Sequence, residues 1–333
     1  MRQRRSKRAR PRAKASIALA LSLAACSTRE SRRDPAPAGS PPGSSAAPPP
    51  VPTPARPDCP IELSQARQGG SDADRYVVPS QDEWLRARSL VEQLAREGAS
   101  SVDPIRGDAT ALGLEIAAID GQSSVFVLRE RPDNKRGGGA YLFRLGPRAP
   151  LIVQAPHTFY DEGTFPLACD LFRESNALAL FIDTAHRYKA HEADEEGKHP
   201  ADVAHATGSL FHAATEGVLR ANPRITVIQL HGFSPRESGA AIVLSNGTSA
   251  QSGEVVSRVA HLLSAVVPGK VERFPEEASE LGATTNVQGR AVRAAGGTFL
   301  HIEMSAPLRQ TLLTEAELRA SVFRALLRGA LPP

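Results

Sequence analysis

Four apolar stretches beyond residue 150 each end on a residue able to bind a metal or carry a proton. Residues 151–156 run into His157 and, five positions on, Glu162, while residues 225–230 run into His231 and Gly232. Residues 298–302 run into Glu303, and residues 177–182 into Asp183, with His186 and Arg187 just beyond. Apolar runs this short, bounded by polar residues, predict buried strands. From residue 151 the pattern reads strand, helix, strand, helix, strand. It predicts one α/β domain with a mainly parallel or mixed sheet and helices on both faces. In such sheets ligands sit beyond the carboxyl ends of the strands, where residues distant in sequence converge.

Upstream, Ser80 and Glu83 form a capping box for a helix that carries Trp84, Ala87, Val91 and Leu94 on one face and stops at Gly98. Strand-like runs follow at residues 111–119, 124–128 and 140–145, separated by turn signals at Asp120-Gly121 and Gly137-Gly138-Gly139. A helix is expected over about residues 201–220, placing Asp202, His205, Ser209 and His212 on one face opposite Leu210, Val218 and Leu219. That face reads as a polar surface, as groups that orient metal ligands, or as a separate metal site. The loop from His186 to His199, with Asp194, Glu195 and Glu196, reads as a solvated rim or lid. Thr314 and Glu317 are expected to cap a last helix carrying Leu318, Val322 and Leu326. No internal repeat is visible.

Composition changes this picture mainly at the N-terminus. The formal charge is +4, but eight basic residues fall within the first fourteen positions. An apolar run from Ala15 to Ala25 follows and leads to Cys26. A basic segment, a short apolar run and small residues describe a secretory signal at residues 1–25, too short for a permanent membrane span. Without it the charge would become −4 and a nucleic-acid role would lose its support. The sequence Leu23-Ala24-Ala25-Cys26 resembles the lipobox of bacterial lipoproteins, which implies acylation of Cys26 and attachment to a membrane. With Ser27 next, the enterobacterial sorting pattern would imply the outer membrane, facing the periplasm. Residues 26–58 would then be the lipidated cysteine and a tether rich in Pro, Ala, Gly and Ser. Ten of the 27 prolines lie between Asp34 and Asp58, a stretch that reaches at most roughly 80 Å as polyproline II. Residues 59–333 would be the folded domain. Cys59 and Cys169 are the remaining thiols, read either as a disulfide pinning the end of the tether or as two free thiols.

The strand-end residues suggest a chemistry. His157 and His231 can each offer a neutral ring nitrogen to Zn2+ and Glu162 an oxygen, leaving a fourth tetrahedral position open. A second carboxylate, Glu303, would act as general base. An unpaired carboxylate in an apolar strand is costly to bury unless it has a partner or a task. Asp161 stands beside Glu162 and leaves the carboxylate ligand ambiguous, with Glu162 preferred.

"PHTFYDEGT" at residues 156–164, "IQLHG" at 228–232 and "HIEMSAPLR" at 301–309 resemble three blocks of the phage poly-γ-glutamate hydrolase group. That group is a compact branch of the zinc carboxypeptidase-like fold, distantly similar to N-formylglutamate amidohydrolases and to the succinylglutamate desuccinylase and aspartoacylase group. Its first block reads like Pro-His-Gly-Gly-Gly-Ile-Glu-Pro-Gly-Thr. The resemblance implies His157, Glu162 and His231 as metal ligands, Glu303 as general base, and hydrolysis of an amide bond in a small peptide or acyl-amino-acid substrate. It covers only residues 151–309. Thr158, Phe159 and Tyr160 replace the glycines after the histidine, and one residue is missing before Gly163-Thr164, so the pocket should be narrower or differently selective.

Arg187, just past the strand at 177–182, is a candidate to stabilise a developing oxyanion or hold a substrate carboxylate, and Arg309 a second candidate for substrate binding. No Gly-x-Ser-x-Gly elbow, phosphate loop or dinucleotide Gly-x-Gly-x-x-Gly follows a strand, which argues against serine hydrolases and nucleotide enzymes. Asn246-Gly247-Thr248 reads as a turn. The expectation is an envelope-anchored zinc hydrolase of amide bonds, its competitor a binding or scaffolding lipoprotein with the same fold.

Overall fold

The computed structural model describes residues 59–67 and 73–331. The signal at residues 1–25, the acylation of Cys26 and the whole tether to residue 58 lie outside the described residues. Among the described residues no helix is long and apolar enough to cross a membrane.

A short helix, α1 (Ile61–Ala66), is joined to the body by a disulfide between Cys59 and Cys169. Helix α2 (Gln81–Glu97) starts at the expected capping box: Ser80 Oγ accepts from Glu83 N–H at 3.2 Å while Glu83 Oε2 accepts from Ser80 N–H at 2.7 Å. Its buried face is Ala87, Leu90, Val91, Leu94 and Ala95. After a 3-10 turn (Gly98–Ser101) and helix α3 (Arg106–Ala111), strands β1 (Leu114–Ile119), β2 (Gln122–Glu130) and β3 (Ala140–Arg144) form an antiparallel meander. The strand expected from residue 111 begins only at Leu114, because Ala111 closes α3 and Gly113 reverses the chain at φ +73°.

The remainder alternates as β4 (Ala149–Ala155), α4 (Thr164–Ser175), β5 (Ala177–Ile182), α5 (Leu210–Ala221), β6 (Thr226–Phe233), β7 (Ala240–Ser245), α6 (Gly253–Ser264), β8 (Lys270–Arg273), α7 (Val287–Ala295), β9 (Thr298–Ser305), α8 (Ala306–Thr314) and α9 (Ala316–Ala330). The nine described strands form one sheet in the order β1-β2-β3-β5-β4-β6-β9-β7-β8. The central four, β5-β4-β6-β9, run parallel, and β3 and β7 join them antiparallel on either side. The α/β class and the mixed sheet with helices on both faces are as expected. Strands β7 and β8 and helix α6 were not anticipated.

Side chains alternate across each strand, so the sheet feeds two cores. Val153, Ala155, Ile228, Leu230, Leu300 and Ile302 pack against α4, α6, α8 and α9. Ile152, Val227 and Phe299 pack against α2, α5 and α7. On this second face the next inward positions are polar: Gln154 on β4, Gln229 and His231 on β6, His301 and Glu303 on β9, all buried. Fully burying one Leu, Ile or Phe contributes about 1.5–3 kcal/mol, so a polar row in these places is retained against stability.

Two helix boundaries differ from expectation. Residues 201–209 are turns; α5 begins at Leu210 because Ser209 takes an extended conformation and its Oγ accepts from His212 N–H at 3.1 Å. Thr314 belongs to the end of α8, its hydroxyl donating to the Gln310 and Thr311 carbonyls, and α9 starts after Glu315 with no side-chain cap.

Candidate metal centre

The chain leaving β4 makes one helical turn, with Tyr160 N–H and Asp161 N–H both donating to the His157 carbonyl at 2.9 and 2.7 Å. In such a turn residue i+4 shares the face of residue i, whereas i+5 rotates away. Asp161 is therefore buried beside His157, and Glu162 is exposed. Asp161, rather than the preferred Glu162, thus stands in the cluster. Asp161 Oδ2 lies 3.3 Å from His157 Nδ1 and 3.3 Å from His231 Nδ1, while Glu162 offers only its backbone carbonyl, to Arg309 Nε at 2.6 Å.

His231 reaches this point from β6, directly opposite Glu303 on the parallel strand β9. Its ring meets that of His157 edge-on, with centroids 4.7 Å apart. The far nitrogen of each ring faces an acceptor. His157 Nε2 lies 2.9 Å from Asp202 Oδ1, and His231 Nε2 lies 2.8 Å from Gln229 Oε1. An ionised carboxylate and an amide oxygen can only accept, so both Nε2 atoms carry hydrogen, and in the neutral rings both Nδ1 atoms present lone pairs. Those lone pairs face Asp161 Oδ2, which is buried without a hydrogen-bond partner. His157 Nδ1 also accepts from Arg187 Nη1 at 3.1 Å, and the two ring nitrogens with the anionic Asp161 oxygen form a set suited to a divalent cation that prefers N and O donors, such as Zn2+. Although burial opposes ionisation, the two imidazoles hold the Asp161 carboxyl far below its usual range. Burial likewise works against charge on His157, yet Asp161 and Asp202 outweigh it and raise that pKa, whereas burial pushes His231 down to about 4.

Glu303 stands at the edge of this set. Burial, reinforced by the charge of Asp161, raises its pKa to about 8, and its Oε2 has no hydrogen-bond partner. His301, two residues earlier on the same face, packs on the His231 ring at 4.5 Å, and its Nε2 is 3.7 Å from Glu303 Oε1. His231, His301 and Glu303 also have donor atoms within 4.8 Å of one another. The ring of His231 serves only one centre, however, because its Nε2 hydrogen is engaged by Gln229.

Arg187 joins the site: Nη1 lies 3.1 Å from His157 Nδ1, Nη2 pairs with Asp202 Oδ2, and the guanidinium lies over the rings of Tyr188 and Tyr160 at 4.6 and 5.5 Å. Asp202 thus binds His157, Arg187 and, at 3.0 Å, His205 Nδ1. Of the polar cluster expected on a helix, Asp202 pairs with His157, Ser209 caps α5, and His212 turns away to Glu216 at 3.3 Å. Arg309, expected as an exposed side chain or a substrate ligand, is buried and partly committed: Nε and Nη1 donate to the carbonyls of Glu162, Phe233 and Met304. Asp183 stays outside the set, its Oδ1 accepting from Thr184 N–H and Ala185 N–H.

Tyr160, Asp161, Arg187, His231, Arg236, Glu303 and Arg309 line a cleft of about 550 Å³. Sequence reasoning missed Gln229 and Gln154, though glutamine inside otherwise apolar strands was a visible signal.

No protein-family model matches the chain, and no curated protein matches it in sequence. Among solved structures it is similar to a bacteriophage poly-γ-glutamate hydrolase, at 12% identity and a TM-score of 0.39 over 58% of this chain and 88% of the other. It is similar to N-formylglutamate amidohydrolase from Ralstonia eutropha JMP134, at 15% identity and a TM-score of 0.37 over 58% and 97%. It is also similar to a metallo-carboxypeptidase from Burkholderia cenocepacia, at 13% identity and a TM-score of 0.34 over 69% and 68%. Likeness at these scores carries no argument about chemistry, which rests on the cleft itself.

Proposed function

We propose that the protein is a zinc-dependent hydrolase of an amide bond, with His157, Asp161 and His231 holding the ion and Glu303 as general base. The observation that carries this reading is the convergence of His157 Nδ1, Asp161 Oδ2 and His231 Nδ1 beside a buried carboxyl group whose pKa is raised to about 8. A zinc ion bound there supplies an activated water and polarises a carbonyl. Glu303, once ionised, would take a proton from the attacking water at Oε2 and return it to the leaving nitrogen as the C–N bond breaks. Asp202 keeps His157 in the ligating tautomer. Arg187, beside His157 and facing the cleft, is placed to stabilise negative charge growing on the carbonyl oxygen.

Arg187, Arg236 and Arg309 line the same cleft, which suits a substrate with a carboxylate near the scissile bond, such as a small peptide or an acyl-amino acid. Tyr160, 52% exposed, lines the cleft and meets Tyr188 edge-to-face at 5.2 Å, adding an apolar surface for a substrate side chain. The N-terminal pattern supports action at the cell envelope, with the domain tethered through lipid on Cys26.

Metal analysis of the purified chain and hydrolysis assays on N-acyl amino acids and short peptides test the reading. About one zinc per chain, with turnover abolished in Glu303→Gln, supports it. Stoichiometric zinc without turnover on any of these would favour a binding lipoprotein, and absence of zinc after supplementation would overturn both the metal and the hydrolase.

A further inference from the structure

His231 receives its orientation from a buried row of side-chain amides that crosses the sheet. Gly289 N–H, in the first turn of α7, donates to Asn286 Oδ1 at 2.8 Å. A backbone N–H cannot reverse, so the other end of Asn286 is its amino group, and Nδ2 donates to Gln229 Oε1 at 2.7 Å. Gln229 therefore presents Oε1 to His231 Nε2 and Nε2 to Gln154 Oε1, at 2.8 and 2.9 Å. Gln154 Nε2 donates to Thr215 Oγ1 at 2.9 Å, and the Thr215 hydroxyl donates to the Phe211 carbonyl in α5, also at 2.9 Å. Gln154, Gln229 and Thr215 are fully buried and Asn286 nearly so, so no solvent substitutes for a lost partner.

We infer that Gln229 is a positioning residue for the metal centre, and that the row from Asn286 to Thr215 sets which nitrogen of His231 is bare. This rests on the proposed metal reading but concerns residues that touch neither ion nor substrate. Turning the Gln229 amide over would set its Nε2 against Asn286 Nδ2, donor against donor, and its Oε1 against Gln154 Oε1. The Asn286 end is fixed by backbone. The Thr215 end is softer, because a hydroxyl can rotate to donate instead of accept. The row is thus a chain of directed bonds with one hard stop, and the stop lies at the start of α7, outside the metal centre. His157 takes the same tautomer by a different device, the acceptor-only carboxylate of Asp202.

Asn286→Asp separates this role from a purely structural one. An aspartate keeps the acceptor for Gly289 N–H but offers Gln229 a second acceptor, so the Gln229 amide should turn, Gln154 and the Thr215 hydroxyl should follow, and His231 should meet an N–H where it met an oxygen. In 15N-histidine-labelled full chain freed of metal, nitrogen NMR is expected to show His231 protonated at Nε2 in the natural protein and at Nδ1 in Asn286→Asp. Zinc affinity, read by chelator competition, should fall by about 10–100-fold. Gln229→Leu should lose affinity to a similar degree, and Gln229→Glu, which still accepts from His231, should recover most of it. A natural protein with His231 bare at Nε2, or variants that keep both the tautomer and the affinity, would overturn the inference. If the natural chain binds no zinc, the hydrolase reading fails, while the tautomer in the metal-free protein still decides the role of the row.

Discussion

His231 on β6 and Glu303 on β9 stand opposite one another in a parallel pairing, so the register that aligns Thr226 with Thr298 also delivers a metal-ligand candidate and a general-base candidate side by side. The sheet's hydrogen bonds set their spacing, and no loop has to move to bring them together.

Ligand identity follows from the turn after β4. Asp161→Asn, His157→Ala and His231→Ala are each expected to lose stoichiometric zinc, whereas Glu162→Gln keeps it. Elemental analysis of folded variants checks this. Retention of zinc in Asp161→Asn together with its loss in Glu162→Gln would restore the sequence-based choice.

Glu303 predicts a dependence on pH in the metal-free protein. Its folded pKa is raised from 4.5 to about 8, so the folded state holds a proton that the unfolded chain releases between those values. The stabilising contribution is fully present below about pH 4.5 and is lost as pH rises through 8. Glu303→Gln should match the natural protein near pH 5 and exceed it at pH 9 by on the order of 2–4 kcal/mol. Denaturant midpoints at the two pH values measure the difference. In the zinc-loaded enzyme the same variant should lower turnover by about 10²–10⁴-fold.

Arg309 and Gly232 form one unit. A Cβ at Gly232 would fall on the Arg309 guanidinium, which holds the backbone after β4, at the end of β6 and at the end of β9. Gly232→Ala and Arg309→Ala are both expected to destabilise by about 2–4 kcal/mol, since each leaves buried carbonyls unpaired. Their double variant should cost little more than either alone. Additive losses in thermal unfolding would show that the two act separately.

The disulfide between Cys59 and Cys169 closes a separation of 110 residues. In the chain-entropy account a loop of that length is stabilised by about 4–5 kcal/mol. It also anchors the segment that carries Arg67, whose Nη2 donates to the Thr158 carbonyl at 2.6 Å and whose guanidinium lies over Phe159 at 4.4 Å, both next to His157. Cys59→Ser should lower stability toward that figure and speed proteolysis near residue 67. Unchanged unfolding with and without reductant would remove the disulfide from the account.

Much of the fold was legible because its signals are local. The Ser80 and Glu83 capping box, the apolar runs of β4, β5, β6 and β9, and the histidines and glutamate at or near their ends all announce themselves within a few residues. What escaped depended on neighbours far along the chain. β7, which pairs with β9, and β8 escaped notice for that reason, whereas the helix expected from residue 201 begins at Leu210 because of a local signal, the Ser209 cap.

The sequence alone pointed to the kind of cluster, two histidines and spare carboxylates behind apolar strands, because so costly a set of buried groups stands out against its surroundings. Tertiary structure decided the particulars. It chose Asp161 over Glu162, since only the rotation of the turn after β4 separates two adjacent acids. It committed much of Arg309 to the backbone, and it recruited Asp202 and Gln229 as partners for the ligating rings. Direction in a hydrogen bond is a relation between two groups, and no spacing along one chain records which of them donates.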